Sequence, residues 1–416
     1  MRALGNGIAA AVLAAALLGG GTAQADEPAA ATGWLDPRNW PFIPIPEIGT
    51  DPNSGTTYGI LPVFLVTNER SEITRIYAPD LIYNPDLGYG GHLRVFAYPS
   101  TDTEWSGVLG AKERIERELD LSYETGITRR LPFSYAARVV YDRSATERFF
   151  GVGNGSGETS DTNYTRGQEY VEGRIGWNVT PELQLAYDAR PRVFHVGRGT
   201  FRSLPSIESQ FPGVPGLGTE NEFLNRAFIT FDTRDSTDVP TKGVRIVGFA
   251  GIADRAFLSS VSYSLFGIDA SRYQPLSDRM VLAAHASVRY MPVGDDTPFW
   301  ALSSLGGDRS IPGEQQPLRG FGSDRFVDRN LFSASVELRT RALSLNLFST
   351  DLDVEIAPFV DAGRVFHAMD DNPIRSLHVA GGLGFRAIAR PFIVGYVDMG
   401  YGSDGLAVFS GIDYPF

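Results

Sequence analysis

Side chains that carry covalent chemistry are scarce in this sequence of 416 residues. There is no cysteine, so thiolate zinc sites, cysteine nucleophiles and disulfide scaffolds are excluded. The five histidines, His92, His195, His285, His367 and His378, show no H-E-x-x-H or other metal-ligand spacing. No G-x-S-x-G elbow and no G-x-x-x-x-G-K-[ST] phosphate loop occurs. Gly382-Leu383-Gly384-Phe385-Arg386-Ala387 fits the dinucleotide pattern G-x-G-x-x-A, but small residues alternate there as they would along a strand. Asp353 and Glu355 are spaced by two, which puts both on one strand face. A polar wall accounts for them better than an acid–base pair. No enzyme, metal or cofactor is expected. One segment keeps a chemical signature, Leu318-Arg319-Gly320-Phe321. The guanidinium is a planar fork that binds a carboxylate bidentately. The glycine lets the backbone approach a neighbour closely, and the phenylalanine can wedge beside it.

The start of the chain limits what can position these residues. Met1 and Arg2 precede an unbroken apolar run, Ile8 to Leu18, and small residues end in Ala23-Gln24-Ala25. This predicts a secretory signal peptide over residues 1–25. The run is too short for a spanning helix, which needs about 20 residues. No later apolar stretch approaches that length. The exported chain is therefore either soluble or a closed β-barrel, the other structure that can span a bilayer. The formal net charge is −12, from 37 basic and 49 acidic residues, which argues against nucleic acid as a partner. The 46 glycines and the 12% aromatic content fit a barrel with a polar lumen.

Period-two patterning favours the barrel. Met280, Leu282, Ala284, Ala286, Val288 and Tyr290 alternate with His285, Ser287 and Arg289. Residues 331–340 and 352–362 repeat the pattern, with Glu337, Asp353, Glu355 and Asp361 on the polar face. The reading is an all-β transmembrane antiparallel β-barrel of 16 strands from residue 56 to 416, with 104–125 as one strand. The long connections 143–164, 193–221, 292–329 and 364–375 then all fall on one side, as they do in outer-membrane barrels. Residues 26–55, rich in proline from Pro37 to Pro52, are expected to form an extended periplasmic arm. Ile412, Tyr414 and Phe416 fall on one face of the last strand, which the alternation turns toward lipid.

Leu318-Arg319-Gly320-Phe321, followed by Gly322-Ser323-Asp324-Arg325-Phe326, resembles the [V/L]-R-G-[F/Y] motif of the BamA/TamA outer-membrane assembly superfamily, also called the bacterial surface antigen family. Phe359-Val360-Asp361-Ala362-Gly363 matches that family's F-x-D-x-G strand motif. Two further segments look alike: Phe231-Asp232-Thr233-Arg234-Asp235 with Pro240-Thr241-Lys242-Gly243 at an inner turn, and Arg148 to Asn154 in the third outer loop. The resemblance covers about residues 56–416. It implies that the sixth outer loop folds back into the lumen. There Arg319 would pair with carboxylates on the next two strands, Glu337 and Asp361, so that Arg319, Gly320, Phe321, Glu337 and Asp361 form a loop lock. The terminal aromatic, with Ile412, Tyr414 and Phe416 in register, resembles the signal by which outer-membrane barrels are recognised for assembly. Assembly factors of the family also carry periplasmic POTRA domains. Residues 26–55 are too short for one, so the chain is expected to lack them.

The expected function is transport across, or assembly into, the bacterial outer membrane, with a separate periplasmic partner. Outer-membrane lipid, lipopolysaccharide and, during biogenesis, the barrel-assembly machinery are the other expected partners. The competing reading is a passive channel or structural surface protein without insertase activity.

Overall fold

Alternating small, polar and apolar side chains build a wall of antiparallel strands in the computed structural model. It describes residues 42–51, 55–69, 73–201, 203–292, 296–347, 350–368, 372–389 and 393–416. The expected signal peptide, 1–25, and the expected arm as far as residue 41 lie outside the described residues. The wall begins with β1 (Ile43–Asp51), β2 (Gly55–Thr67), β3 (Ile73–Pro79), β4 (Leu81–Asn84), β5 (Gly88–Ser100), β6 (Thr103–Lys112) and β7 (Arg117–Thr125). Longer strands follow: β8 (Phe133–Phe149), β9 (Thr162–Asn178), β10 (Leu183–Arg198) and β11 (Gly218–Asp232). Then come β12 (Gly243–Ala253), β13 (Tyr263–Ser277) and β14 (Met280–Tyr290). Three short strands, β15 (Ser303–Leu305), β16 (Gln315–Gln316) and β17 (Phe326–Asp328), form a separate small sheet inside the longest connection. The wall resumes with β18 (Asn330–Leu347), β19 (Thr350–Phe366), β20 (His378–Ala389), β21 (Ile393–Gly402) and β22 (Gly405–Ile412).

Neighbours in sequence are neighbours in the wall. The large sheet holds nineteen strand segments, of which β3 and β4 share one position, because both pair with β2 and with β5. Among the described residues the wall therefore has eighteen positions, not sixteen.

Two local events account for the difference. The span 104–125 is a hairpin rather than one strand. Lys112 N–H donates to the Glu116 carbonyl, and Ile115 takes a φ of 52° between them. A β-branched residue is an unlikely choice for that left-handed conformation, and neither Gly nor Pro marks the turn. The second event is β1, which falls within the stretch read as an arm. It pairs with β2 from Ile43↔Val63 to Asp51↔Gly55. Pro44 and Pro46 are two residues apart, so their missing N–H groups fall on one edge of β1. The ladder to β2 uses the other edge, and proline is tolerated in that arrangement on an edge strand. The free edge lies alongside β22, and among the described residues no backbone pairing joins the two.

Splitting 104–125 also reverses every strand before it. The turn at 85–87 lies on the side of the long connections, and the turn at 101–102 lies on the other side, opposite to the order expected. Residues 291–329 stay on the long-connection side but become the seventh connection there, not the sixth.

The two faces of the wall separate by chemistry. On β14, Val288 and Tyr290 are exposed while His285, Ser287 and Arg289 are buried. On β18 and β19, Val336 and Val360 face out while Glu337 and Asp361 are wholly buried. Phe133, Tyr135, Trp177 and Phe231 are exposed near the short-turn ends of their strands, as in the aromatic girdle of an outer-membrane barrel.

Candidate functional site: a loop anchored in the lumen

The long connection 291–329 folds against the inner wall, and one of its guanidiniums meets wall carboxylates there. Arg319 is fully buried. Its backbone N–H and its Nε both donate to Asp361 Oδ2 at 2.9 Å, and Nη2 donates to Asp361 Oδ1 at 2.9 Å. Nη1 donates to Glu337 Oε2 at 2.8 Å and to Asp398 Oδ2 at 3.0 Å. The guanidinium also lies over the Phe359 ring, 3.6 Å from its centroid. Glu337, Asp361 and Asp398 come from β18, β19 and β21, whose inward positions alternate toward one point.

Three carboxylates around one guanidinium would leave a buried negative excess. Two further buried arginines balance it. Arg339 Nε donates to Glu337 Oε1 at 2.7 Å. Arg386 Nη2 donates to Glu337 Oε2 at 3.3 Å, and its Nη1 bonds Asp398. Paired and hydrogen-bonded in this way, buried charges are tolerated. Of these groups, Arg339, Arg386 and Asp398 are not among the partners expected from the sequence. A signal for Asp398 exists: Tyr396-Val397-Asp398-Met399-Gly400 repeats the aromatic-Val-Asp-x-Gly order of residues 359–363.

Gly320 and Phe321 complete the seat. A Cβ on Gly320 would lie 2.6 Å from Gly402 N and 2.8 Å from Ala380 Cβ. A Cβ on Gly400 would overlap the Arg319 carbonyl oxygen at 1.4 Å. The loop backbone therefore rests directly on a wall stripped of side chains. Phe321 packs against Leu305, Leu318, Phe326, Leu331, Val365 and Ala380.

The two other family-like segments fall at opposite ends of the wall. Gly153 N–H donates to the Val327 carbonyl at 2.8 Å, and the Asn154 carbonyl lies 2.8 Å from His378 Nε2. The segment 148–154 thus braces the folded loop from outside. At the opposite end, Asp235 accepts from Thr241 N, Thr241 Oγ1 and Lys242 N. Partial burial raises the Asp235 pKa, but these bonds outweigh it and hold the carboxyl below its ordinary range.

The expected lipid-facing register at the chain end is corrected by the structure. β22 ends at Ile412, whose side chain lies outside the described residues, and Asp413 turns the chain with a φ of 78°. Tyr414 Oη then lies 3.3 Å from both Glu355 carboxylate oxygens, and Arg339 covers the Tyr414 ring at 3.7 Å. Phe416 stacks on His285 with centroids 5.1 Å apart. Tyr414 and Phe416 therefore meet lumen side chains. The period-two pattern runs past the strand because apolar spacing does not register the left-handed Asp413 and, two residues on, Pro415 without an N–H.

Ser310, His285 and Asp269 also meet, but not as a relay. Ser310 Oγ lies 3.2 Å from His285 Nε2, and Asp269 Oδ2 lies 2.9 Å from the same nitrogen. A Ser–His–Asp relay needs the two partners on opposite ring nitrogens. Among the described residues no cluster of three His, Cys, Asp or Glu could hold a metal ion.

The sequence profile of the Omp85 superfamily domain matches residues 109–389. No curated protein matches the sequence. Among solved structures, the chain is similar to BamA from Haemophilus ducreyi lacking POTRA domains 1–3, with 15% identity and a TM-score of 0.53, over 85% of this chain and 75% of that one. It is also similar to CdiB from Escherichia coli, with 12% identity and a TM-score of 0.50, over 91% of this chain and 63% of that one. The profile spans more than half the chain and the wall has the same architecture, so the chain belongs to the Omp85 superfamily of bacterial outer-membrane β-barrels.

Proposed function

We propose that this barrel works in transport across, or assembly into, the outer membrane together with a separate periplasmic partner, and that Arg319 holds its long loop in the lumen as a lock. The observation that carries this reading is the charge cluster itself. A buried guanidinium on a loop, met by carboxylates from three wall strands, stabilises one loop position far more than a passive surface protein requires. Glycines 320 and 400 let the loop seat without side-chain clash. Outer-membrane lipid and lipopolysaccharide surround the apolar face, and the barrel-assembly machinery would insert it.

The test uses proteoliposomes of the purified protein and a urea-denatured outer-membrane barrel as substrate. Faster appearance of the folded substrate than in empty liposomes, increased further by a periplasmic extract, supports the reading. Unaccelerated folding together with steady ion conductance would assign the passive channel instead.

A further inference from the structure

Beneath the outer loops, on the opposite side of the folded loop from Arg319, a cavity of about 70 Å³ is lined by arginines and aromatic rings. The arginines that matter are Arg190, Arg192 and Arg289. Their carboxylates are shared, although Arg226 beside them also has Asp188 and Glu172. Arg190 and Arg192 share Glu222, through Nη2 groups at 3.4 Å and 2.8 Å. Arg190 and Arg226 share Glu314 Oε1, at 2.7 Å and 3.0 Å. Tyr263 Oη also donates to Glu222, which spreads that charge further. Arg289 has no carboxylate among the described residues. Its donors reach only the Leu302, Glu314 and Ala301 carbonyls and the Met291 thioether. It is nevertheless 95% buried, with 5% of its surface exposed. The Nε of Arg190, of Arg192 and of Arg289 each lacks an acceptor, and all three residues line the same cavity.

Two features coincide there: a buried guanidinium, Arg289, with no carboxylate in direct contact, and three unpaired donors. Water could satisfy the donors, but it cannot supply charge. A buried charge without a direct partner is costly, so an anion beside Arg289 would be stabilised there. Forked guanidinium donors match the oxygens of a phosphate-like group better than a halide. The cavity has room for a few waters or one small oxyanion. The Trp300 indole, stacked on Phe194 at 4.4 Å and capped by Arg192 at 4.7 Å, forms an apolar flank beside the charge.

We propose that this cavity is a binding site for a phosphate-sized oxyanion, with Arg289 as the charge it neutralises and Arg190 and Arg192 as its additional donors. The site shares the folded loop with the lock but does not rest on the proposed transport role.

Detergent-solubilised protein is unfolded by heating in sodium phosphate and in sodium chloride at matched ionic strength, and the loss of the heat-modifiable species is followed. The expected result is a saturable rise of the midpoint in phosphate. Arg289→Gln removes that rise, and the control Arg198→Gln, at an exposed position, keeps it. Parallel arms with intact and with dephosphorylated lipopolysaccharide separate the sources. A rise with inorganic phosphate assigns a free anion. A rise only with the intact lipid assigns a headgroup phosphate. Equal midpoints of the wild-type protein in phosphate, chloride and both lipids would overturn the site, whatever the variants do. So would a phosphate effect that Arg289→Gln leaves intact.

Discussion

Arg319→Ala removes one guanidinium from a cluster in which three arginines face three carboxylates. The loss is unequal among the carboxylates. Glu337 retains Arg339 and Arg386, and Asp398 retains Arg386. Asp361 loses both side-chain donors that Arg319 gives it and keeps the bond from the Arg319 backbone N–H. With Asp361 wholly buried, the variant carries one unpaired buried charge, a penalty of about 3–5 kcal/mol when water stays out. The cation–π contact with Phe359 adds about 1 kcal/mol. None of this touches the backbone ladder of the wall, so the penalty falls on loop seating rather than on the barrel. At about 1.4 kcal/mol per factor of ten, the open loop becomes on the order of a thousandfold or more commoner. Limited proteolysis within 291–329 should accelerate accordingly, and single-channel conductance should rise, while heat-modifiable migration persists. Asp361→Asn in the Arg319→Ala background removes the unpaired charge and should restore part of the protection. Arg319→Lys keeps a charge but loses the fork, and should fall between wild type and alanine. If Arg319→Ala, Glu337→Ala and Asp361→Ala all leave protease protection and conductance unchanged, the lock is wrong.

The intact protein should migrate faster unheated than boiled on a gel, because its strands pair around a wall, and an unshifted band would argue against the barrel. Its conductance should be small and irregular, since the folded loop occupies the lumen, where one cavity of about 290 Å³ beside it is lined by charged side chains such as Arg94, Glu118 and Arg309; large porin-like steps would contradict that. Gly400→Ala should unseat the loop as Arg319→Ala does, because its Cβ meets backbone rather than a flexible side chain, and unchanged loop proteolysis would refute the close contact. A variant ending at Asp413 should still assemble, since β22 is complete without Tyr414 to Phe416; loss of membrane assembly would instead support those aromatics as an assembly signal.

The class of fold was legible because alternation follows directly from the pleat. His285, Ser287, Arg289, Glu337, Asp353, Glu355 and Asp361 all sit on the buried face that their spacing assigned. The strand count was less legible, and the reason is local. Lys112 to Arg117 contains no turn-forming residue, and inward charges continue on both sides of the break, so period two runs unbroken through a hairpin. In β1 the opposite holds: proline argues against pairing only when both edges must donate. One unseen turn then reversed the direction of every strand before it, while the side of residues 291–329 survived because it was fixed by the strands that follow.

The cluster around Arg319 shows where residue-by-residue reading stops. Glu337 and Asp361 were accessible because each lies on one of the two strands after the loop, in an alternating register. Asp398 lies on β21, one strand beyond Asp361's neighbour β20, and its role depends on how the wall curves. Asp361 pairs with Ala380 and Asp398 with Gly384, so in a flat sheet the two would be two strand spacings apart, about 9.6 Å, and four residues out of step as well, beyond the span of one guanidinium. The curvature of the wall and the inward reach of the side chains bring all three carboxylates onto Arg319. Each of the two strands supplies its carboxylate within a repeated aromatic-Val-Asp-x-Gly order, at 359–363 and 396–400. Each copy ends in a glycine, and both glycines face the loop: a Cβ on Gly363 would press on Leu305 at 3.0 Å, and one on Gly400 would strike Arg319. Each copy of the repeat thus places a carboxylate against the loop arginine and, two residues later, a glycine where the loop approaches.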